Sequence, residues 1–124
     1  MKVSSKCEMY NNAMYLLQHY GINHQVCKTM EEMGGLGAEL MRDINDDPRA
    51  SVEKVMEEIA DVEIMLMQLR LYYEGFENVP DTETIMYCKL ERAVDSIPPA
   101  EIDIPDLQTL EECAGPAVSS GGQQ

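Results

Sequence analysis

The sequence lacks several features that would narrow its function at once. It contains no tryptophan and a single phenylalanine, and only 9 lysine and arginine residues stand against 23 acidic ones, a formal net charge of -14. Sequence-independent binding to nucleic acid needs clustered basic side chains that neutralise phosphates. The charge balance therefore argues against nucleic acid and against anionic membrane surfaces as partners, whereas it is compatible with cation binding.

The cysteine spacing and the apolar stretches also match no motif for a metal site, a signal peptide or a membrane span. The four cysteines form no CxxC pair and no zinc-like spacing with the two histidines, which predicts free thiols in a reducing cytosol. The first residues lead into no apolar run of the signal-peptide kind. The longest apolar-rich stretch is too short and too polar to span a membrane. We therefore expect a cytoplasmic chain, and its 124 residues suit one domain.

The apolar residues that are present recur at helical spacing, and strand signals are few. The pattern predicts an all-α fold with four helices, the first two over about residues 5–20 and 23–44. The third follows a cap at Asp47 or Ser51 and runs to about residue 73, and the fourth follows a cap at Asp81 or Thr82 and runs to about residue 97. Gly21 and the prolines at 48, 98 and 99 mark helix ends. We expect a helical domain over residues 1–97 and a flexible tail containing proline and glycine over residues 98–124, the last part disordered.

Helices two and three each carry an unusual pattern. Gly34, Gly35 and Gly37 interrupt the middle of helix two, and a glycine costs about 1 kcal/mol relative to alanine in a helix interior. Close helix packing, a local distortion or a lost side chain would each account for them. Helix three has two apolar faces, which predicts that it packs within its own bundle and against another subunit.

Two short acidic clusters carry most of the chemical information. The first is Glu31 and Glu32, with Glu39 further on; the second is Glu58 and Asp61, at the start of an apolar stretch. Side chains three apart share a helix face, and like charges there repel, more so when buried. A divalent cation neutralises such a group, and Mg²⁺ takes oxygen ligands of this kind. The alternative is a solvated acidic face.

Three segments together resemble the MazG-like all-α nucleoside triphosphate pyrophosphohydrolases. They are residues 20–40, residues 57–66 and the sequence Lys-Leu-Glu-Arg at 89–92. The family motif is EExxE, a spacer and ExxD on two antiparallel helices, and the resemblance covers about residues 15–95. It implies a four-helix MazG-like bundle that forms homodimers or homotetramers. It also implies cleavage of an NTP or dNTP to NMP and pyrophosphate, with Mg²⁺, or alternatively Mn²⁺, held by the acids.

The motif can be carried over residue by residue, with one departure. Glu31 and Glu32 match the leading pair of the first motif, and Glu58 and Asp61 match the second. The third acid of the first motif is expected where the chain has Gly35. This difference leaves open a weakened enzyme, a rearranged site, an introduced substitution, or a relative that serves as a nucleotide-binding or protein-interaction module.

The resemblance assigns provisional roles to the acids. Glu32, Glu58 and Asp61 are the expected metal ligands. Glu39 lies one turn beyond position 35, roughly 6 Å along the helix axis, where it can reach a second or water-bridged metal. Glu31 and Glu32 are the expected catalytic pair, and Glu31, if it is not a ligand, can orient or deprotonate the attacking water.

Three further residues are candidates for binding the nucleotide. Lys89 and Arg92 lie three apart on helix four and can cancel phosphate charge; alternatively they belong to a solvated face paired with Glu91 or Asp95. Gln25 lies seven residues before Glu32, on the same helix face, where it can contact the base or the ribose. Its plainer alternative is an exposed polar position.

Overall fold

The computed structural model describes residues 6–99 as a helical chain. Its four α-helices are α1 (Lys6–Tyr20), α2 (Ile22–Ile44), α3 (Val52–Tyr73) and α4 (Thr82–Asp95), and these described residues include no strand. The predicted all-α class and the four helices are confirmed, and the helix ends that the prediction fixed differ from the observed ones by at most two residues. None of the described helices is long and apolar enough to cross a membrane.

The described helices belong to two compact units. The first ends at Thr82 and holds α1, α2 and α3, and the second begins at Glu83 and holds the rest of α4. The single helical domain predicted over residues 1–97 stays a prediction. The predicted tail over residues 98–124 lies outside the described residues, apart from positions 98 and 99.

Gly21 alone separates α1 from α2. Its φ is +83°, a region that side chains rarely adopt and glycine adopts freely. The N–H of Gly21 donates to the carbonyl of Leu17 at 2.8 Å, and its own carbonyl accepts from the N–H of Gln25 at 3.1 Å. The chain therefore turns at one residue while helical hydrogen bonding continues on both sides of it.

Ser51 and Asp47 shape the connection from α2 to α3. Ser51 is the N-cap of α3, and its hydroxyl oxygen accepts from the N–H of Lys54 at 3.2 Å. Asp47 instead accepts from the backbone N–H and the guanidinium of Arg49, at 2.8 to 3.0 Å. These hydrogen bonds hold the pKa of Asp47 well below its usual range. Of the two caps considered from sequence, Ser51 is the one that caps α3.

The side chain of Glu74 accepts hydrogen bonds from the first residue of α4. Its Oε1 accepts from the backbone N–H of Thr82 at 2.8 Å and from the Thr82 hydroxyl at 2.5 Å. Hydrogen bonding from Thr82 lowers the pKa of Glu74. From sequence, the cap of this helix was open between Asp81 and Thr82, and the observed α4 begins at Thr82. The glutamate eight residues earlier was not predicted as the partner of this threonine.

The helices α2 and α3 form the main contact of the first unit, and they run antiparallel. Gln25 near the start of α2 bonds to Gln68 near the end of α3, whereas Gly35 lies against Glu58 in the first half of α3. The buried apolar side chains of the described residues are few: two come from α1 and two from α3, namely Ala13, Leu17, Val62 and Met65.

The face that α2 turns inward is largely polar. Gln25, Thr29 and Glu39 are buried there, and the half-buried positions between them include Lys28 and Glu32. The apolar stripe of α2 lies on the outside, where its members are between 36% and 75% exposed: Val26, Met30, Met33, Leu40 and Ile44. In this unit the helix is therefore amphipathic with its polar side toward its neighbour, which positions the acids of α2 against α3.

Candidate metal centre

Three carboxylates from two helices converge at the middle of the α2–α3 contact. One oxygen each from Glu32, Glu58 and Asp61 lies within 4.8 Å of the other two. Glu32 and Glu58 are half-buried, and Asp61 is exposed. The sequence analysis predicted these three side chains as metal ligands, and the structure brings them together. We call this group the acidic triad.

The antiparallel pairing explains why the triad forms. Glu58 and Asp61 are three residues apart on α3, so they share a face. The same pairing that sets Gln25 opposite Gln68 brings Glu32 of α2 to the level of Asp61. Since Gly35 has no side chain, the Glu58 carboxylate lies directly against the α2 backbone: a Cβ at position 35 would be 2.9 Å from Glu58 Oε2.

The donor set suits a hard divalent cation. Carboxylate oxygens are the ligands that Mg²⁺ prefers, at about 2.0–2.1 Å, and two oxygens on opposite sides of one ion are then roughly 4.2 Å apart. The triad oxygens are separated by no more than 4.8 Å. Neighbouring oxygens around an octahedral ion at that metal–oxygen distance are about 3.0 Å apart, so the flexible Glu32 and Asp61 side chains would draw closer together on binding one ion.

Lys28 is joined to the triad from within α2. Its Nζ lies 3.2 Å from Glu32 Oε1 and 3.3 Å from Glu31 Oε2. The hydrogen bonds from Lys28 to Glu32 and then to Glu31 raise the pKa of the lysine. Glu31, the predicted catalytic acid, is 71% exposed in its side chain and lies beside the triad. One ammonium therefore connects Glu31 to a member of the triad.

Glu39 is not brought into the triad. It is only 5% exposed, and its Oε2 accepts from Arg42 Nη1 at 2.7 Å. Its other oxygen, Oε1, is buried without a hydrogen-bond partner among residues 6–99. The structure thus shows Glu39 as a buried acid paired with an arginine, and its predicted role toward a second metal stays a prediction.

Gln25 is buried, so the alternative of an exposed polar position is wrong. It is 4% exposed, and its Nε2 donates to Gln68 Oε1 at 2.7 Å, while its Oε1 is 2.7 Å from Nδ1 of His24. Gln68 is fully buried and donates to the carbonyl of Ile64 at 3.3 Å. Buried amides must satisfy their hydrogen bonds internally, and this pair does so across the α2–α3 contact.

A groove of about 460 Å³ lies beside the triad. Tyr20 and His24 stack on one another at its side, with ring centroids 4.8 Å apart. Its lining comes from all three helices of the first unit: Leu16, Tyr20, His24, Gln25, Lys28, Glu31, Ile64, Met65 and Gln68. The volume falls within the range of small-molecule sites. Gln25, Lys28 and Glu31 all line this groove, and the ion pair of Lys28 with Glu32 connects the groove to the triad.

Lys89 and Arg92 lie on α4, in the second compact unit, and both are exposed. They share one helix face because they are three residues apart. Among residues 6–99, neither makes an ion pair with Glu91 or Asp95. Their predicted contact with phosphate stays a prediction.

Sequence reasoning missed two residues of this region. Lys28 was detectable in principle, since it lies three and four residues before Glu31 and Glu32 and a helix brings such positions together. Gln68 was not, because an isolated glutamine in an apolar helix carries no sign of its partner. Comparisons of the chain with protein-family models, with curated protein sequences and with solved structures found no match.

Proposed function

We propose that this chain is a Mg²⁺-dependent nucleoside triphosphate pyrophosphohydrolase of the MazG-like type, which converts an NTP or dNTP and water to NMP and pyrophosphate. The observation that carries the proposal is the acidic triad. Three acids that the sequence motif singles out as ligands meet within 4.8 Å of one another, although they come from two helices. The adjoining groove has room for part of a nucleotide.

The charges favour this chemistry. A triphosphate brings about four negative charges to a surface that is already acidic, so a divalent cation must stand between them. Glu32, Glu58 and Asp61 would hold this Mg²⁺, which when bound supplies charge neutralisation and activates water. Glu31 is close to the triad, exposed to solvent, and suited to orienting or deprotonating a water molecule.

A second candidate function follows from Gly35. In this alternative, the lack of an acid at position 35 makes the chain a weakened relative that binds a nucleotide or a protein without turnover. We favour the enzyme because Glu58 already lies in the space beside Gly35: its Oε2 is 2.9 Å from where a side chain would begin. We infer a rearranged ligand set rather than a vacant position.

An activity assay separates these candidates. With millimolar Mg²⁺ and a panel of NTPs and dNTPs, we expect release of equal amounts of pyrophosphate and the matching monophosphate, and no release after chelation of the metal. Measurement of nucleotide binding by calorimetry provides the second readout. Metal-dependent binding without turnover would support the weakened relative. Absence of both binding and turnover would overturn the enzyme and the nucleotide-binding form of the second candidate, and would leave a protein-interaction module.

We also propose that the chain is a homo-oligomer, either a dimer or a tetramer, through the outer stripe of α2. Large apolar patches on a soluble protein are typical of interaction sites, and the exposed stripe from Val26 to Ile44 follows the length of this helix. Gly37 lies within the stripe, and a Cβ built there meets nothing within 4 Å. Close packing of a second helix against position 37 would explain why this residue is a glycine.

A charged substitution in the apolar stripe of α2 tests whether the chain forms an oligomer through this surface. We expect Met30→Asp to lower the molar mass measured by light scattering toward that of one chain, because a carboxylate would be buried without a partner. Ala38→Asp is the matched control, since it adds the same charge to an exposed position of α2 away from the stripe. An unsubstituted chain that is monomeric at micromolar concentration would refute the proposal.

A further inference from the structure

We propose that Lys28 is a built-in counter-ion of the acidic triad, which a divalent cation displaces and which then binds a phosphate oxygen of the substrate in the groove. The inference rests on the proposed function, since it assumes that the triad binds a metal and that the groove receives a polyphosphate. It assigns to one side chain two successive anionic partners, first the carboxylate of Glu32 and then a phosphate oxygen.

The ion pairs of Lys28 are the first support. Its ammonium lies 3.2 Å from Glu32 and 3.3 Å from Glu31, and Glu32 supplies one of the triad oxygens. The lysine thus brings positive charge to the carboxylates that a cation would use. A metal bound to Glu32 would repel the nearby Lys28 ammonium. The metal and the ammonium therefore cannot both bind this carboxylate at their preferred distances.

The position of Lys28 in the groove is the second, independent support. Among residues 6–99, Lys28 and Glu31 are the two charged side chains that line the groove, and Gln25 and Gln68 line it as well. The lysine side chain is 43% exposed, so its four-carbon stem can swing without breaking the α2–α3 contact. An ammonium released from Glu32 therefore remains between the triad and the groove, within reach of a polyphosphate that occupied the groove.

Helix stability alone explains the arrangement poorly. On a helix, a glutamate that precedes a lysine by four residues stabilises more than the reverse order, because the reverse order opposes the helix dipole. Lys28 precedes both of its glutamates. Exposed pairs of this type contribute little to folding. Because the ion pairs add little stability, we infer that Lys28 occupies this position for its role in ligand binding.

The proposal predicts two effects of opposite sign in Lys28→Met. Without the competing ammonium, calorimetry should show Mn²⁺ binding to the full chain about threefold to tenfold more tightly. At saturating Mn²⁺, inorganic triphosphate should bind about tenfold more weakly, because a charge-assisted hydrogen bond is lost. A purely structural lysine would not move the two affinities in opposite directions.

Two further variants complete the experiment. Lys28→Arg keeps the charge and should stay close to the unsubstituted chain for both ligands. Lys6→Met changes the net charge equally but lies near the start of α1, about 21 Å along the helix from Tyr20 in the groove, and should change neither affinity. If Lys28→Met binds Mn²⁺ no more tightly, or triphosphate no more weakly, the inference is wrong while the proposed function stands. If the unsubstituted chain shows no saturable Mn²⁺ binding, both are wrong.

Discussion

Asp61→Asn is expected to lower both Mg²⁺ affinity and the rate of pyrophosphate release at least about a hundredfold. The substitution keeps the size of the side chain and removes its charge, so only two of the three triad side chains remain anionic. Glu58→Gln should have an effect of similar size, since its carboxylate is the member held against α2. Calorimetry with Mg²⁺ and an assay of pyrophosphate release measure the two losses.

The thermal stability of the same variants gives a readout that does not depend on turnover. A ligand that binds only the native state at a hundred times its Kd stabilises it by about 2.7 kcal/mol. Mg²⁺ should therefore raise the melting temperature of the unsubstituted chain by several degrees, and this rise should vanish in Asp61→Asn. Without metal, Asp61→Asn should melt no lower than the unsubstituted chain, because the substitution relieves repulsion among like charges.

Glu57→Gln provides the matched control for both measurements. Glu57 is the neighbour of Glu58 on α3, it is exposed, and it is not a member of the triad. Its substitution removes the same unit of charge and should change metal affinity by less than about threefold, which is the effect of a more distant charge in water. A loss in Glu57→Gln as large as that in Asp61→Asn would show that the metal responds to net charge and not to these ligands.

The sequence was sufficient to predict the helices because their boundaries depend on local chemistry. Gly21 ends α1 through a positive φ, and Ser51 caps α3, and both effects involve only a few neighbouring residues. The triad was predictable for a related reason. The spacing of Glu58 and Asp61 places them on one face, and a family resemblance supplied Glu32 as their partner.

Which face of α2 is buried could not be predicted, because burial depends on tertiary contacts. An apolar stripe normally marks the buried side of a helix, but here Met30 and Met33 are exposed whereas Gln25 and Thr29 are buried. The amide bond between Gln25 and Gln68 joins residues 43 positions apart. Periodicity within one helix contains no information about such a partner. The same limit applied to Glu39, whose burial beside Arg42 the acidic pattern did not suggest.

Gly35→Ala is expected to weaken metal binding by about tenfold while it raises the stability of the metal-free protein by as much as about 1 kcal/mol. The gain comes from replacing a glycine in a helix interior. The loss has a steric cause: the new Cβ would lie 2.9 Å from Glu58 Oε2 and 3.6 Å from Glu58 Cδ, so the carboxylate must move away from α2. That movement separates Glu58 from Glu32 and Asp61.

Gly34→Ala is the control for the helix effect. A Cβ at position 34 meets nothing within 4 Å, so this variant should gain similar stability and keep its metal affinity. Chemical denaturation and calorimetry with Mg²⁺ distinguish the two alanine variants. Equal metal affinity in both would mean that the contact between Gly35 and Glu58 does not shape the site.

Gly35→Glu completes the series, because it adds the same Cβ together with the acid that the EExxE motif would have at this position. Since Glu58 must move in either variant, the comparison of Gly35→Glu with Gly35→Ala isolates the contribution of the new carboxylate. We expect Gly35→Glu to bind Mg²⁺ at least about tenfold more tightly than Gly35→Ala, and to exceed the unsubstituted chain in both affinity and pyrophosphate release. Affinity no higher than that of Gly35→Ala would show that the new acid cannot reach the ion, and that the ligand set with Glu58 against the α2 backbone is the one this chain uses.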